Sequence, residues 1–329
     1  MFAADLVVCT RNRPDELARL LASVAEQRPL PAAIVVVDSS DDAASRQVVA
    51  VAAERWPVAA AAPRHCPAPP GLPRQRNVGI DATVNDIVCF LDDDVVLEPG
   101  YFLAVGAAFA GDATGRLGGV GATSVDQPPR PRLWRIDALL GLDSVREGTV
   151  LRSGRNVRVY DMSPSSPAAS FPAASSPAAP IVDWLPGLAM SFRRVVFAEV
   201  RPDPSFEFEG EDVEFTYRVA QRWQLRVLPA ARVRHLESGV GRPPLAETAA
   251  REIEARHRRC SARTGRMRLR WFWLGVVAQS VRAALTAPMS RDQRAIFVGT
   301  MRGVGRIARN GGVTRPRNLR RRATTRVDG

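Results

Sequence analysis

Lysine is absent from this 329-residue chain, and all 46 of its basic side chains are arginine. The resulting net charge of +12 goes with an alanine-rich composition. Base composition of the source genome accounts for such a pattern as readily as function does, so the charge alone identifies no ligand. It is also uneven: arginine is dense from Arg242 to Arg326, whereas acids cluster at 38–42, 92–94 and 207–214. A basic surface attracts nucleic acid, anionic lipid or phosphorylated ligands. Aromatics make up only 6% of the chain, and there is no helix-turn-helix or zinc-finger spacing. Nucleic acid is therefore not expected as a partner.

Cysteine is scarce too. Cys9, Cys66, Cys89 and Cys260 include no CxxC pair, which argues against a zinc site or a redox couple. Cys9 and Cys89 lie in apolar runs and read as buried free thiols, as suits a reducing cytoplasm. Long apolar runs are missing. Residues 1–5 show no basic region followed by an apolar stretch, so no signal peptide is expected. The stretch 271–281 is apolar except for Gln279 and Ser280. It falls short of the roughly 20 residues that span a bilayer.

What is present begins with Ile87-Val88-Cys89-Phe90-Leu91-Asp92-Asp93-Asp94. Five apolar residues without polar alternation read as a buried strand. The three carboxylates after it cannot be unpaired core. They end either in an acidic turn or in a site for a divalent cation, which takes hard oxygen ligands and relieves the repulsion.

The chain before this point alternates. Residues 5–10 form a strand, and Pro14 opens a helix with Leu17, Leu20, Leu21 and Val24 on one face. Residues 34–38 form a second strand ending in Asp38, residues 45–55 a helix, and residues 58–62 a weak strand candidate. This order predicts a parallel sheet, with ligands at the carboxyl ends of its strands. Thr10, Asp38 and Asp92 to Asp94 would all meet at that edge. Residues 66–73 read as a rigid proline-rich loop leading to a helix that begins near Arg74 and runs to about Ala82. Arg74 and Arg76 could hold phosphates there or simply be a solvated first turn.

Further on, Pro99 is expected to start a helix, and residues 117–125 a glycine-rich strand. Residues 163–180 are rich in proline, serine and alanine and read as a loop or insertion. Five acids stand within residues 207–214, and a helix is expected from Asp212 onward. That is more carboxylate than helix capping requires. Short strands are expected at 225–228 and 232–235, ending in His235, and a charged helix at 247–263 with acid–base pairs four residues apart. The segments 271–281 and 295–307 set aromatic and apolar residues beside arginine. They suit an interfacial helix on anionic lipid, or equally a helix packed on the preceding domain or on a second copy of the chain. The tail 315–329 reads as disordered.

Taken in order, these segments resemble the family 2 glycosyltransferases of the GT-A fold. The resemblance rests on residues 6–12, Val35 to Asp38, Arg76-Asn77-Val78-Gly79, Phe90 to Asp94, Gly187 to Arg194 and Glu211-Asp212, and spans about residues 5–240. It implies an α/β fold with a Rossmann-like mixed sheet over residues 1–240, followed by a helical extension over 241–329. It implies that Asp38 contacts the base of a nucleotide, with Thr10 and Arg13 lining the same pocket and Arg76 and Asn77 beside the nucleotide. Asp92, Asp93 and Asp94 correspond to the DxD motif, Asp92 near the ribose and Asp94 on Mn²⁺ or Mg²⁺, with His235 as a further metal ligand. Asp212 corresponds to the catalytic base, with Glu211 beside it. Trp184, Gly187 and Leu188 correspond to the acceptor loop, where many relatives carry Asn in place of Leu188. The implied reaction is metal-dependent, inverting transfer from a UDP-, dTDP- or GDP-sugar to a hydroxyl of a glycan or lipid-linked acceptor. The implied setting is cell-envelope polysaccharide synthesis, in the cytoplasm or at the inner face of the plasma membrane. Two alternatives remain. A nucleotidyltransferase usually carries a glycine-rich loop after its first strand, and residues 10–14 contain no glycine. A non-catalytic binding protein would not need the full set of acids.

Overall fold

The computed structural model describes residues 3–127, 130–131, 133–159, 179–206, 209–285 and 290–310. The proline-rich segment, apart from Ala179 and Pro180, and the basic tail lie outside the described residues.

A mixed sheet runs through the centre of the molecule. Its first half is parallel: β1 (Ala4–Thr10) pairs with β2 (Ala33–Asp38) on one side and β4 (Ile87–Asp92) on the other, and β2 pairs with β3 (Pro63–Pro67) at the edge. Strands β1, β2 and β4 are buried on both faces, which explains their unbroken apolar runs. Alternate side chains serve different layers. Leu6, Val8, Ile34, Val36, Cys89 and Leu91 pack under helices α1 (Pro14–Ala25) and α4 (Tyr101–Ala110). Val7, Val35, Val37, Val88 and Phe90 pack on the opposite face, with Ile80 of α3 (Leu72–Asp81) and Phe215 of α7 (Glu211–Val219). Gly79 lets α3 lie directly on β1, because a Cβ there would come within 2.2 Å of a Val7 methyl.

The second half departs from the parallel pattern. Beyond β4 the order is β8 (Ala189–Arg193), β6 (Leu117–Ser124), β9 (Gln224–His235) and β5 (Val95–Leu97), with β7 (Ile181–Val182) also on β9. β8 is antiparallel to both β4 and β6, whereas β9 runs parallel to β6. The two short strands expected near Leu225 and His235 are one strand, with a register shift opposite Ala122 and Thr123. The weak strand expected at 58–62 is instead a short 3-10 turn over Ala59–Ala61, and the edge strand starts after it and takes in Cys66 and Pro67. Prolines at both of its ends suit an edge. Helix α4 starts at Tyr101, after Gly100 in the left-handed region (φ 86°).

Three further helices close one side: α8 (Leu245–Ser261), α9 (Leu269–Leu285) and α10 (Arg291–Arg309). Helices α8 and α10 pack backbone to backbone at Gly299 and Gly303, where a Cβ would meet the Ala246 and Ala250 carbonyls at 2.2 and 2.7 Å. A third apolar cluster joins Ile253, Cys260, Met267, Phe272 and Val276 of this layer to Val150, Trp184, Val213 and Tyr217. The C-terminal helices thus sit against the start of α7. Among the described residues no helix is long and apolar enough to cross a membrane.

Candidate active site

Strands β1 and β4 end side by side, with Cys9 opposite Asp92 and Thr10 opposite Asp38 of β2. The acid run therefore projects from the carboxyl edge of the parallel half. Thr10 Oγ1 donates to Asp93 at 2.8 Å, and Arg13 donates to Asp93 at 3.0 Å. Arg13 also lies 3.6 Å from Asp94 and donates to the Val240 carbonyl. Burial drives the Asp93 carboxyl upward against the opposing pull of Arg13 and Thr10.

Asp94 is buried among cations. Its oxygens lie 3.2 Å from His235 Nε2 and 3.2 Å from Arg242 Nη2, and the Ser238 N–H donates to it. Burial opposes ionisation of Asp94, but the hydrogen bond from His235 and the charges of His235, Arg13 and Arg242 together draw its pKa down to about 2. The same hydrogen bond raises the pKa of His235. His235 reaches this position because β9 pairs with β5, which sets His235 opposite Val95.

Asp92 faces a different partner. Its carboxylate lies 3.6 Å from Arg76, a residue 2% exposed, which also contacts Glu211 at 3.1 Å and donates to the Gly187 carbonyl at 3.2 Å. Burial, with Asp94 and Asp93 nearby, pushes Asp92 up to about 7 despite Arg76. Burial and the adjacent Asp212 likewise raise Glu211. Arg76 is thus a buried cation shared by two carboxylates. Arg74, the other arginine of that turn, is exposed.

Helix α7 begins at Gly210, whose φ of 74° turns the chain so that Glu211 and Asp212 open the helix. Asp212 Oδ2 accepts from the Gly187 N–H at 2.9 Å, and Oδ1 accepts from Val213 N–H at 2.7 Å. A side chain at 187 would crowd this point, since a Cβ would stand 3.0 Å from Arg76 Nη2 and 3.1 Å from Asp212 Cβ.

A cavity of about 800 Å³ joins these parts. Of the residues singled out from the sequence, Asp92, Trp184, Gly187, Leu188, Glu211, Asp212 and His235 line it. Trp184 is fixed by a 2.9 Å bond to the Val157 carbonyl, and the Leu188 carbonyl accepts from Asp92 N–H. Asp38 stands apart at the β2–β3 edge, bonded to His65 Nε2 at 2.9 Å and to Ser40 N–H. No contact ties Asn77 to the acids among the described residues: its amide donates to the Pro202 carbonyl at 2.9 Å. Three residues of this region were not singled out from the sequence. Arg242 on Asp94 lies in a loop with no pattern of its own, His65 lies in a strand without an apolar signal, and Gln75 ties the Thr10 and Val37 carbonyls together at the base of the pocket.

Among the described residues no group of three His, Cys, Asp or Glu side chains could hold a metal by itself. Asp94 with His235 offers one hard oxygen donor and one nitrogen donor, at a carboxylate that Arg13 and Arg242 also contact. Such a pair fits a divalent ion whose remaining shell comes from a ligand's own oxygens.

The mixed sheet, the acid run after its central strand and the second acid pair opening a helix beside it together define a glycosyltransferase of the GT-A fold. Residues 5–161 match the model of glycosyl transferase family 2. No curated protein sequence matches it significantly. Several solved structures share the fold. The mannosyltransferase PcManGT from Pyrobaculum calidifontis, in complex with GDP-Man and Mn²⁺, aligns at TM-score 0.55 and 14% identity over 93% of this chain and 86% of its own. GalNAc-T7, solved with UDP, GalNAc and Mn²⁺, aligns at TM-score 0.57 and 16% identity over 89% of this chain and 54% of its own. TarS from S. aureus, residues 1–349, aligns at TM-score 0.50 and 15% identity over 95% of this chain and 93% of its own. At these identities the likeness is one of fold.

Proposed function

We propose that the chain transfers a sugar, with inversion, from a nucleotide-diphosphate sugar to a hydroxyl of a glycan or lipid-linked acceptor. The observation that carries this reading is the Asp212 carboxylate, fixed by the Gly187 N–H in the same cavity as Asp92. The acceptor oxygen forms a bond to the anomeric carbon, the bond from that carbon to the diphosphate oxygen breaks, and the hydroxyl proton passes to Asp212. A single displacement inverts the anomeric centre. The nucleoside diphosphate leaves with its electron pair.

Asp94 and His235 would hold Mn²⁺ or Mg²⁺, and such an ion neutralises charge on the departing diphosphate. Arg13 and Arg242 flank the same carboxylate and are placed to meet phosphate oxygens. Thr10 and Asp38, at the carboxyl ends of β1 and β2, are assigned to the nucleoside, with Asp93 bracing Thr10 and Arg13. Asn77 supports α3. Trp184, Gly187 and Leu188 are assigned to the acceptor. In this division residues 1–240 perform the transfer, and the helices α8, α9 and α10 form a unit against them.

The complexes of the two structural neighbours with Mn²⁺ and GDP-Man or UDP support a metal-dependent donor site. Thermal unfolding of the protein with UDP, dTDP or GDP, each with and without Mn²⁺, tests it. One nucleotide is expected to raise the melting temperature only when Mn²⁺ is present, since a ligand at about 100 times its Kd adds about 2.7 kcal/mol. No shift with any nucleotide would sink the donor assignment.

The helical unit is assigned to a membrane surface, with the acceptor then presented from envelope lipid. On α9, Arg270, Leu274, Val277 and Val281 share one face at i, i+4, i+7 and i+11, and all four are exposed, as is Trp273. The full chain is expected to co-sediment with phosphatidylglycerol vesicles and not with phosphatidylcholine. A Leu274→Asp, Val277→Asp double variant should remain in the supernatant. A parent protein that ignores both vesicle types, or that is a dimer dissociated by the double variant, would assign this face to another copy of the chain.

A further inference from the structure

The cavity does not end at Asp212. It extends under the C-terminal helices, where Arg155, Arg158, Arg256, Gln279 and Thr300 line it. Arg256 is 2% exposed, and its pairing is incomplete. Its Nη1 donates to Gln279 Oε1 at 3.4 Å, while Nε and Nη2 have no hydrogen-bond partner among the described residues. Arg155, from the loop before residue 160, donates to the same Gln279 oxygen, also at 3.4 Å. The orientation of that amide follows from its other end. Thr300 Oγ1 gives its proton to the Ile296 carbonyl, so it accepts from Gln279 Nε2, and Gln279 Oε1 is left facing the two guanidinium groups.

Among the described residues neither arginine has a carboxylate partner. Glu252, which also faces the cavity, is bonded to Arg259 at 3.2 Å, and Arg259 donates in addition to the Gly210 and Gly154 carbonyls. Ser153 Oγ and Arg256 Nη2 both lie beside Gly275, and Ser153 Oγ is another buried polar atom without a partner among the described residues. Burial and repulsion from Arg155 draw the Arg256 pKa down to about 10. A buried and a half-buried guanidinium group sharing one neutral oxygen are costly for folding, since a buried charge is ordinarily paired. The arrangement is complete once an oxyanion sits between them. Planar forks of this kind match phosphate and carboxylate oxygens in pairs.

We propose that Arg155 and Arg256 form an oxyanion subsite in the acceptor end of the cavity, so that the acceptor is an anionic molecule carrying a phosphoryl or carboxylate group. This rests on the reading of the Asp212 end as the transfer site. One cavity would then hold the reacting hydroxyl against acids and anchor the acceptor's charge against arginines. Neutral glycans would lack the anchor. The oxyanion could be the phosphate of a lipid carrier or the carboxylate of an acidic sugar, and the two are separable by binding.

Isothermal titration of the full chain in chelator, without divalent metal, compares inorganic phosphate, inorganic diphosphate and glucuronate. The variants are Arg256→Gln and the half-buried Arg155→Gln. The parent is expected to bind one of these anions saturably, and each variant to bind it at least tenfold more weakly. Diphosphate or phosphate as the preferred anion would indicate a phosphoryl acceptor, and glucuronate an acidic sugar. Both variants should keep the metal-dependent nucleotide shift. Arg256→Gln alone should melt no lower than the parent, because it removes an unpaired buried charge; a side chain with a purely structural role would give the opposite. Anion binding that is absent from the parent, or equal in parent and both variants, overturns the subsite. A parent that binds anion through these arginines but shows no nucleotide shift would keep the subsite and sink the transferase donor site.

Discussion

Replacing Asp212 with Asn should lower turnover of the sugar nucleotide by about a hundredfold to ten-thousandfold, the span that a positioned general base contributes. The geometry makes the substitution informative. Asp212 Oδ2 is held by the Gly187 N–H at 2.9 Å and Oδ1 by the N–H of Val213 at 2.7 Å, so the carboxylate is oriented by backbone at both oxygens. Asn preserves size and one acceptor oxygen. Its amide nitrogen must face one of those two N–H groups, which costs on the order of 1–3 kcal/mol for the unpaired donor. The protein should therefore remain folded, though less stable, and should still bind nucleotide with Mn²⁺. Turnover can be followed as release of nucleoside diphosphate, whether the sugar passes to an acceptor or to water. Glu211 is the competing base. Its carboxylate is tied to Arg76 at 3.1 Å, and burial with the neighbouring Asp212 favours its protonated form. Glu211→Gln should accordingly leave more activity than Asp212→Asn. Near-normal turnover in folded Asp212→Asn would remove Asp212 from the mechanism.

Much of this site could be read from residue order because the parallel half of the sheet writes itself plainly. Strands buried on both faces are continuous apolar runs, and each of β1, β2 and β4 ends in a polar or acidic residue that must emerge at one edge. Elements without such a signal were harder to place. Strand β3 consists of Pro-Arg-His-Cys-Pro, and only its pairing with β2 makes it a strand, so the His65 contact with Asp38 was invisible. Helix α8 reads as a solvated charged helix, since acids and arginines recur at four-residue spacing. One such pair, Glu247 with Arg251, does form. Arg256 and Arg259 on the same helix are buried instead. Nothing local distinguishes them, because their burial depends on Gly154, Gly210 and Gln279 from other parts of the chain. The carboxylate partners of Arg76 are illegible in the sequence for the same reason. Its partners lie 135 residues away at Glu211 and 111 residues away at Gly187, and a helix start bearing two arginines looks alike whether it meets a phosphate or two carboxylates.

The buried contacts of Arg76 have a large consequence for stability. Replacing Arg76 with Met should destabilise the fold by about 3–5 kcal/mol near pH 8, the usual penalty for removing one partner of a buried ion pair. Met fills much of the space of the aliphatic stem but leaves Asp92 and Glu211 without their shared cation and the Gly187 carbonyl without its donor. The dependence on pH should separate charge from packing. Asp92 and Glu211 have folded-state pKa values above the ordinary carboxylate range, Asp92 at about 7. The folded protein therefore holds protons there that the unfolded chain has released, and stability falls as pH rises from the carboxylate range through the raised values. Without Arg76 both acids shift further upward, and that fall continues to higher pH. The difference between parent and Arg76→Met should then be small near pH 5, where both carboxyl groups are protonated in the fold, and should widen as pH passes 7. Denaturant unfolding at pH 5 and pH 8 measures both numbers. A loss equal at the two pH values would mean that Arg76 matters through packing and its carbonyl contact alone. A loss confined to pH 8 would establish it as the cation that keeps two acids, one from the end of β4 and one from the start of α7, charged within reach of the same substrate.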